Sequence, residues 1–167
     1  MGKSNIVLIG MPSSGKTTIG KPLSLALGMD FIDTDNIIIA KENKELKDIV
    51  NQDGLKKFLE IQEKSLLELH LTNYVISTGG SVIYNKTAME HLKNNGMVFY
   101  LRLTLDEIKN RLGSKRRLAR NVGQTFADVY KERTPLYEGF ADITIDCNKK
   151  NVHSIVQEIT DVYTKHI

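Results

Sequence analysis

Hydrophobic and polar positions divide the chain into short apolar runs and longer segments with helical periodicity. Each short run is typical of a buried strand, and each longer segment places apolar residues among charged ones at the spacing of a helix face. The predicted strands cover residues 5–10, 30–33, 74–77, 97–101 and 142–146. Because strands that alternate with helices pair in parallel, this order predicts an α/β fold with a parallel sheet covered by helices on both faces.

The same pattern indicates where two helices run and where a loop lies. Leu23 and Leu27 precede Gly28, which predicts a helix that ends in a glycine C-cap. Across residues 55–71, apolar side chains recur among Lys, Glu and Gln, which predicts a long helix with one wide buried stripe. Residues 113–123 contain several Lys and Arg but no periodic apolar residues, and they predict a mobile basic loop.

Composition narrows the class of partner. At 167 residues with 41% hydrophobic content, the chain fits one domain with a substantial core. Lys and Arg exceed Asp and Glu by only 23 to 20, which favours small anionic ligands over nucleic acid. Cys147 has no partner for an internal disulfide, and the first apolar run, broken by Gly10 and Pro12, is too short to span a membrane. We expect a cytoplasmic monomer with no nucleic-acid or membrane partner.

A phosphate-binding loop follows the first predicted strand. Residues 10–17 read G-M-P-S-S-G-K-T, which fits G-x-x-x-x-G-K-[ST] between a strand and a helix. The backbone N–H groups of such a loop surround a polyphosphate, while Lys16 reaches the β- and γ-phosphates and Thr17 ligates Mg²⁺. This motif predicts binding of a nucleoside triphosphate. The expected nucleotide-binding residues here are Gly10, Pro12, Ser13, Ser14, Gly15, Lys16, Thr17 and Thr18.

Two further motifs follow the second and third predicted strands. Asp33-Thr34-Asp35 places two carboxylates at the carboxyl edge of the sheet, where ligands bind in doubly wound folds. Asp33 can hold Mg²⁺ through water, and Asp35 can orient or deprotonate an attacking hydroxyl. A turn or helix-cap role is the structural alternative for both. Ser77-Thr78-Gly79-Gly80-Ser81 brings glycines to the same edge, where they allow close approach of backbone to a ligand.

These motifs, in this order and at this spacing, resemble those of shikimate kinases. That family has a five-stranded parallel sheet with a nucleoside monophosphate kinase-like core, a P-loop, D-T-D after strand two and T-G-G-G after strand three. The resemblance spans nearly the whole chain and implies ATP-dependent phosphorylation of shikimate, with Mg²⁺ as cofactor. It also implies an acceptor-binding helical region at about residues 34–71 and a lid at about 113–123 within one domain, 1–167.

The resemblance assigns roles to other residues as well. It implies that Arg111 stacks on adenine and that Asn151 ends an adenine-contacting loop. It implies that Arg116 reaches ATP from the lid, with Arg117 or Arg120 as substitutes. The implied catalytic residues are Lys16, Asp35 and Arg116; the implied acceptor-binding residues are Asp35, Gly79, Gly80 and Arg133; the implied metal-binding residues are Thr17 and Asp33. A solvated ion pair of Arg133 with a neighbouring glutamate is the alternative for that residue.

Three positions differ from the family pattern. The arginine that pairs with the shikimate carboxylate is replaced by Leu59, although Lys56 and Lys57 lie nearby in sequence. The third glycine of T-G-G-G is Ser81, and the lid motif R-P-L-L is Arg-Arg-Leu-Ala at 116–119. Three hypotheses follow: a shikimate kinase, a kinase of another small hydroxylated metabolite, and a nucleotide-binding homologue without transfer activity.

Overall fold

The predicted strands form one parallel sheet of five strands. A computed structural model describes residues 2–112 and 123–167. The strands are β1 (Asn5–Ile9), β2 (Asp30–Asp33), β3 (Tyr74–Ser77), β4 (Gly96–Arg102) and β5 (Ile143–Asp146), in the order β2-β3-β1-β4-β5. All five residues of the central strand β1 are buried, whereas the edge strands β2 and β5 are partly exposed, because helices cover the middle of the sheet on both faces.

Seven helices occur in the described part of the chain, and none of them is long and apolar enough to span a membrane. They are α1 (Lys16–Leu27), α2 (Thr34–Glu42), α3 (Leu46–Leu67), α4 (Lys86–Asn95), α5 (Leu105–Arg111), α6 (Phe126–Phe140) and α7 (Val152–Thr164). The expected glycine C-cap is confirmed, since Gly28 ends α1 in the left-handed conformation.

The long helix differs from its prediction at both ends. Helix α3 begins at Leu46 and ends at Leu67, so that Leu69 and Leu71 pack against the main core from outside the helix. Gly54 interrupts it with φ 87° and ψ 163°, a conformation open essentially only to glycine. The apolar pattern of residues 55–71 therefore extends beyond the end of the helix. Residues that follow a helix can still pack against the same core.

Two hydrophobic clusters stabilise the structure. The main one surrounds the sheet and includes residues 6–9 of β1 and most of β4. A smaller one lies between α2 and α3, where Ile38, Ile49 and Phe58 are buried and Leu59 packs beside them. This second cluster holds α2 and α3 together next to the carboxyl ends of β2 and β3, and it forms one side of the site described below.

Candidate active site

A cavity of about 1050 Å³ opens at the carboxyl ends of the strands. Its walls come from the P-loop and α1, the segments that follow β2 and β3, and parts of α3, α6 and α7. Most of the residues expected at the site line it: Pro12, Ser13, Ser14, Gly15, Lys16, Thr17, Thr18, Asp33, Asp35, Gly79, Gly80, Arg111 and Arg133. Segments far apart in sequence meet here because parallel strands end at a common edge.

Backbone carbonyl groups of the P-loop fix the position of the Lys16 side chain. Helix α1 begins directly after Gly15, so its unpaired N–H groups face the loop, where an anion is stabilised. The Lys16 ammonium is buried and donates hydrogen bonds to the carbonyl oxygens of Gly10 at 2.7 Å and Met11 at 2.9 Å. These dipoles compensate a positive charge that would be costly to bury alone. The loop thus presents a cation and helix dipoles to the same side of the cavity.

Oxygen atoms from three segments meet beside Thr17. Its Oγ1 donates to Asp33 Oδ2 at 2.9 Å and lies 3.4 Å from Ser77 Oγ at the end of β3. Hydroxyl and carboxylate oxygens are the ligands that Mg²⁺ prefers, and Mg²⁺ usually takes its other ligands from phosphate and water. The described residues contain no cluster of three or more His, Cys, Asp or Glu side chains suited to a metal. The donor set beside Thr17 therefore fits a nucleotide-associated Mg²⁺.

The two carboxylates of the D-T-D motif differ in position: Asp33 caps a helix, and Asp35 faces the cavity. Asp33 is the N-cap of α2, and its Oδ1 accepts a hydrogen bond from the Asp35 N–H at 2.9 Å. The helix-cap alternative therefore holds for Asp33, alongside its contact with Thr17. Asp35 lies in the first turn of α2 and faces the cavity, as expected of a group that orients an acceptor hydroxyl.

The two glycines after β3 are required by close contacts. A Cβ at Gly79 would lie 2.6 Å from Asp35 Oδ1, and a Cβ at Gly80 would lie 2.7 Å from Pro12 Cδ. Side chains at these positions would separate the strand end from the D-T-D segment and from the P-loop. The glycines therefore allow three loops to meet at one point, which is the close approach that the sequence indicated.

Arg133 is buried in the wall of the cavity, with 1% of its surface exposed. Its Nε donates to Tyr84 Oη at 3.3 Å, and its guanidinium carbon lies 5.3 Å from the centre of the Tyr84 ring. Tyr84 in turn donates to Glu132, and burial together with that hydrogen bond raises the pKa of the phenol. A guanidinium held in this way cannot be the solvated surface ion pair that was the alternative for Arg133.

Helix α6 is fixed in place around Arg133. Its first turn has a capping box, in which Thr125 and Asp128 satisfy each other's backbone N–H groups. Further along, the Tyr137 hydroxyl donates to the carbonyl oxygen of Gly80, and burial raises the pKa of this phenol, so that it remains a neutral donor. This hydrogen bond joins the helix that carries Arg133 to the loop after β3.

Arg111 and Asn151 both lie close to the cavity, and the expected contact of each with adenine stays a prediction. Arg111 ends α5 and lines the cavity near the P-loop, with its Nη1 3.9 Å from the Cβ position at Gly15. Asn151 caps α7 through a 2.8 Å hydrogen bond from the Ser154 N–H, and its neighbours Lys150 and Val152 line the cavity. Contact of Asn151 with adenine stays a prediction.

The expected lid arginines Arg116, Arg117 and Arg120 lie outside the described residues. The two residues that follow this stretch in the described part, Gly123 and Gln124, line the cavity.

The cavity wall formed by α3 includes a cation that the sequence reasoning missed. Leu59, Lys56 and Lys57 are not among the described residues that line the cavity, whereas Lys47 is. In the first turns of α3, Leu46, Lys47, Val50 and Asn51 all line it. These positions repeat at a spacing of four along a helix, which is the signal that could have identified this face.

Comparisons with known proteins agree with this geometry. The family model described as Shikimate kinase matches residues 12–164. A shikimate kinase of Haemophilus influenzae (strain PittEE) is 36% identical over 166 residues, which span 96% of this chain and 92% of that protein. One from Clostridium botulinum (strain Okra / Type B1) is 41% identical over 168 residues, with 96% of each chain covered.

Solved structures give the same result. Shikimate kinase from Acinetobacter baumannii in complex with shikimate superimposes with a TM-score of 0.86 at 30% identity, covering 97% of this chain and 93% of that one. A sugar kinase from Janibacter sp. HTCC2649, at 13% identity and a TM-score of 0.62, shares the fold.

Proposed function

This chain belongs to the shikimate kinase family, and we propose that it transfers the γ-phosphoryl group of ATP to a hydroxyl group of shikimate. One observation supports this most strongly. A single cavity contains the P-loop with Lys16, the Asp35 carboxylate, and the buried guanidinium of Arg133. These groups match a polyphosphate, a reacting hydroxyl and a carboxylate, which are the parts of ATP and shikimate that meet in the reaction.

The nucleotide half of the site binds and neutralises phosphate. The α1 N-terminus and Lys16 attract the β- and γ-phosphates, and Arg111 lies at the same end of the cavity. Thr17 and Asp33 would hold Mg²⁺, directly or through water, and the ion when bound would offset the charge of the phosphate oxygens. We keep the predicted roles of Asn151 at adenine and of Arg116 at ATP as part of this proposal.

The acceptor half positions the hydroxyl. Asp35 accepts its proton as the oxygen forms a bond to the γ-phosphorus, while the bond from that phosphorus to the β,γ-bridging oxygen breaks and ADP leaves with the electron pair. Phosphoryl transfer needs mainly positioning and charge stabilisation, which the glycine contacts at Gly79 and Gly80 and the fixed α6 supply.

The cations of the cavity indicate how the acceptor carboxylate is held. Among the described cations of the cavity, Lys16 belongs to the P-loop, Arg111 lies near Gly15 of that loop, and Lys150 precedes Asn151, the predicted adenine contact. Of the same described cations, Arg133 on α6 and Lys47 on α3 remain for the acceptor end. We therefore assign the shikimate carboxylate to Arg133, with Lys47 as the second positive charge. The protein works as a monomer in this proposal, since the described residues of one chain line the cavity, and it acts in the cytoplasm, where its co-substrate ATP is available.

Coupled detection of ADP tests the proposal. The purified protein is incubated with ATP and Mg²⁺, alone or with shikimate, gluconate, quinate or a neutral sugar, and Lys16→Ala serves as the inactive control. We expect ADP to form with shikimate and at background rate otherwise. Turnover with another acceptor and not with shikimate would assign a different metabolite. Tight ATP binding without any turnover would identify a nucleotide-binding homologue.

A further inference from the structure

Gln62 of α3 is a polar side chain buried directly behind the acceptor end of the cavity. It has no exposed surface. Its Oε1 accepts hydrogen bonds from Asn85 Nδ2 at 3.0 Å and from Ser81 Oγ at 3.3 Å. Ser81 is the residue that stands where the family pattern has a third glycine, and its hydroxyl is thus part of a buried network with Gln62.

This network fixes which way the amide points. With Oε1 turned to its two donors, Nε2 points to the opposite side, where it lies 3.1 Å from the Cβ position of Gly79. Asp35 Oδ1 lies 2.6 Å from the same point. The reverse orientation would turn the amide oxygen to the carboxylate, which is electrostatically unfavourable. The N–H side of the amide therefore faces Asp35 across Gly79.

The Nε2 group has no hydrogen-bond partner among residues 2–112 and 123–167. Buried polar groups in native proteins are nearly always paired, and an exception calls for an explanation. A carboxylate on the far side of a residue without a side chain is a suitable acceptor, because a small rotation of either side chain closes the gap. Gly79 is required here for a second reason, since a side chain would block that contact.

We propose that Gln62 is a positioning residue for Asp35. Its Nε2 donates to one carboxylate oxygen while the acceptor hydroxyl engages the other, and this aims the carboxylate at the hydroxyl. The amide is suited to this because a carboxylate at position 62 would have no N–H to donate and would place a second negative charge beside Asp35. The proposal rests on the proposed function in one respect, that Asp35 is the group that orients the hydroxyl.

Other charges also act on Asp35. Among residues 2–112 and 123–167, those that line the cavity are Lys16 from α1, Asp33 at the end of β2, Lys47 from α3, Arg133 from α6, Arg111 and Lys150. None of these is altered by a substitution at position 62, so a difference between variants reports on Gln62 itself.

The test compares Gln62→Glu and Gln62→Leu with the wild type. Gln52→Glu is the matched control, because Gln52 is an exposed glutamine on the same helix. Each substitution at position 62 is made in the wild type and in an Asp35→Ala background, so that a double-mutant cycle measures the coupling between the two side chains. The first readout is unfolding in urea, which requires no turnover. The second is kcat and KM for shikimate.

We expect Gln62→Leu to lower kcat about tenfold when Asp35 is present and by less than about twofold in the Asp35→Ala background, with KM for ATP unchanged. Gln62→Glu should lower kcat by more than Gln62→Leu does. The equilibrium constant of unfolding should show a coupling of about fivefold in the same cycle. Gln52→Glu should leave kcat and the unfolding equilibrium unchanged. If Gln62→Glu does not fold, Gln62→Leu decides the matter alone.

If Gln62→Leu lowers kcat and stability by the same factors with and without Asp35, the proposal is overturned, because that pattern belongs to a purely structural residue. Failure of the proposed function is a separate result: the wild type would then not phosphorylate shikimate, whereas the unfolding cycle would still measure the coupling between Gln62 and Asp35.

Discussion

Lys47 offers the most direct test of how the acceptor is bound. It lines the cavity from the first turn of α3, and its side chain is exposed there. If Lys47 and Arg133 share the carboxylate of shikimate, Lys47→Ala should weaken shikimate binding and leave ATP binding unchanged. Arg133 is buried against Tyr84 and keeps its position without Lys47, so the variant should retain the chemistry.

The structure limits the size of the effect. A hydrogen bond to a charged group contributes about 1.5–3 kcal/mol, whereas an exposed ion pair contributes about 0–1 kcal/mol. Lys47 lies between these cases, because it is exposed in the free protein and is covered when the acceptor fills the cavity. We therefore expect a loss of about 1–2 kcal/mol, which is a five- to thirty-fold rise in KM for shikimate with kcat changed by less than about twofold.

The assay is ADP-coupled turnover at saturating ATP, repeated at several ionic strengths. Lys56→Ala and Lys57→Ala are matched controls, since these lysines are exposed on the same helix and do not line the cavity. Added salt should raise KM for shikimate more in the wild type than in Lys47→Ala. The reason is that only the wild type has the ion pair between Lys47 and the shikimate carboxylate, which salt screens. If KM for shikimate were the same in Lys47→Ala and in the controls, Lys47 would have no part in binding the carboxylate.

Further expected outcomes concern four other residues. Lys16→Ala should abolish transfer and still unfold cooperatively, because the loop backbone folds without the ammonium; turnover and thermal unfolding check this. Asp35→Asn should keep ATP affinity in calorimetry and lower kcat by about 10²–10⁴. Leu59→Arg should change KM for shikimate by less than about threefold, since Leu59 packs beside the cluster between α2 and α3 and does not line the cavity. A KM lowered tenfold in this variant would contradict that reasoning. Burial raises the pKa of Cys147 to about 12, so alkylation at pH 8 should be slow in the native protein and fast after denaturation, as mass spectrometry would show.

The strands and the P-loop could be predicted because their signals are local. A continuous apolar run such as that of β1 indicates a central strand, and the P-loop motif needs only its own backbone and the start of α1. The meeting of Asp35 with Gly79 followed from the rule that parallel strands end at one edge. The residues of a strand or of the P-loop lie within one segment of the chain. Asp35 and Gly79 lie in different segments, but both follow parallel strands of the same sheet.

Other features depend on tertiary packing and had no comparable signal. Gln62 belongs to the apolar stripe of α3 by position, and only its contacts with Ser81 and Asn85 show that it is a buried polar residue. The burial of Arg133 results from the packing of α6 against Tyr84, which periodicity does not reveal. The sequence was therefore least informative about the burial of charged and polar residues that lie inside an amphipathic pattern.

The break at Gly54 explains why Lys47, and not Leu59, lies in the cavity wall. In a straight α-helix, residues twelve positions apart are about a third of a turn out of phase, so they would face different directions. The φ of 87° at Gly54 separates the two halves of α3 and lets each half adopt its own orientation. The first half can then present Lys47 to the cavity while the second packs Leu59 into the cluster with α2. Helical periodicity cannot be extended across such a break, and a family pattern read at position 59 alone misses a charge supplied from the other half of the same helix.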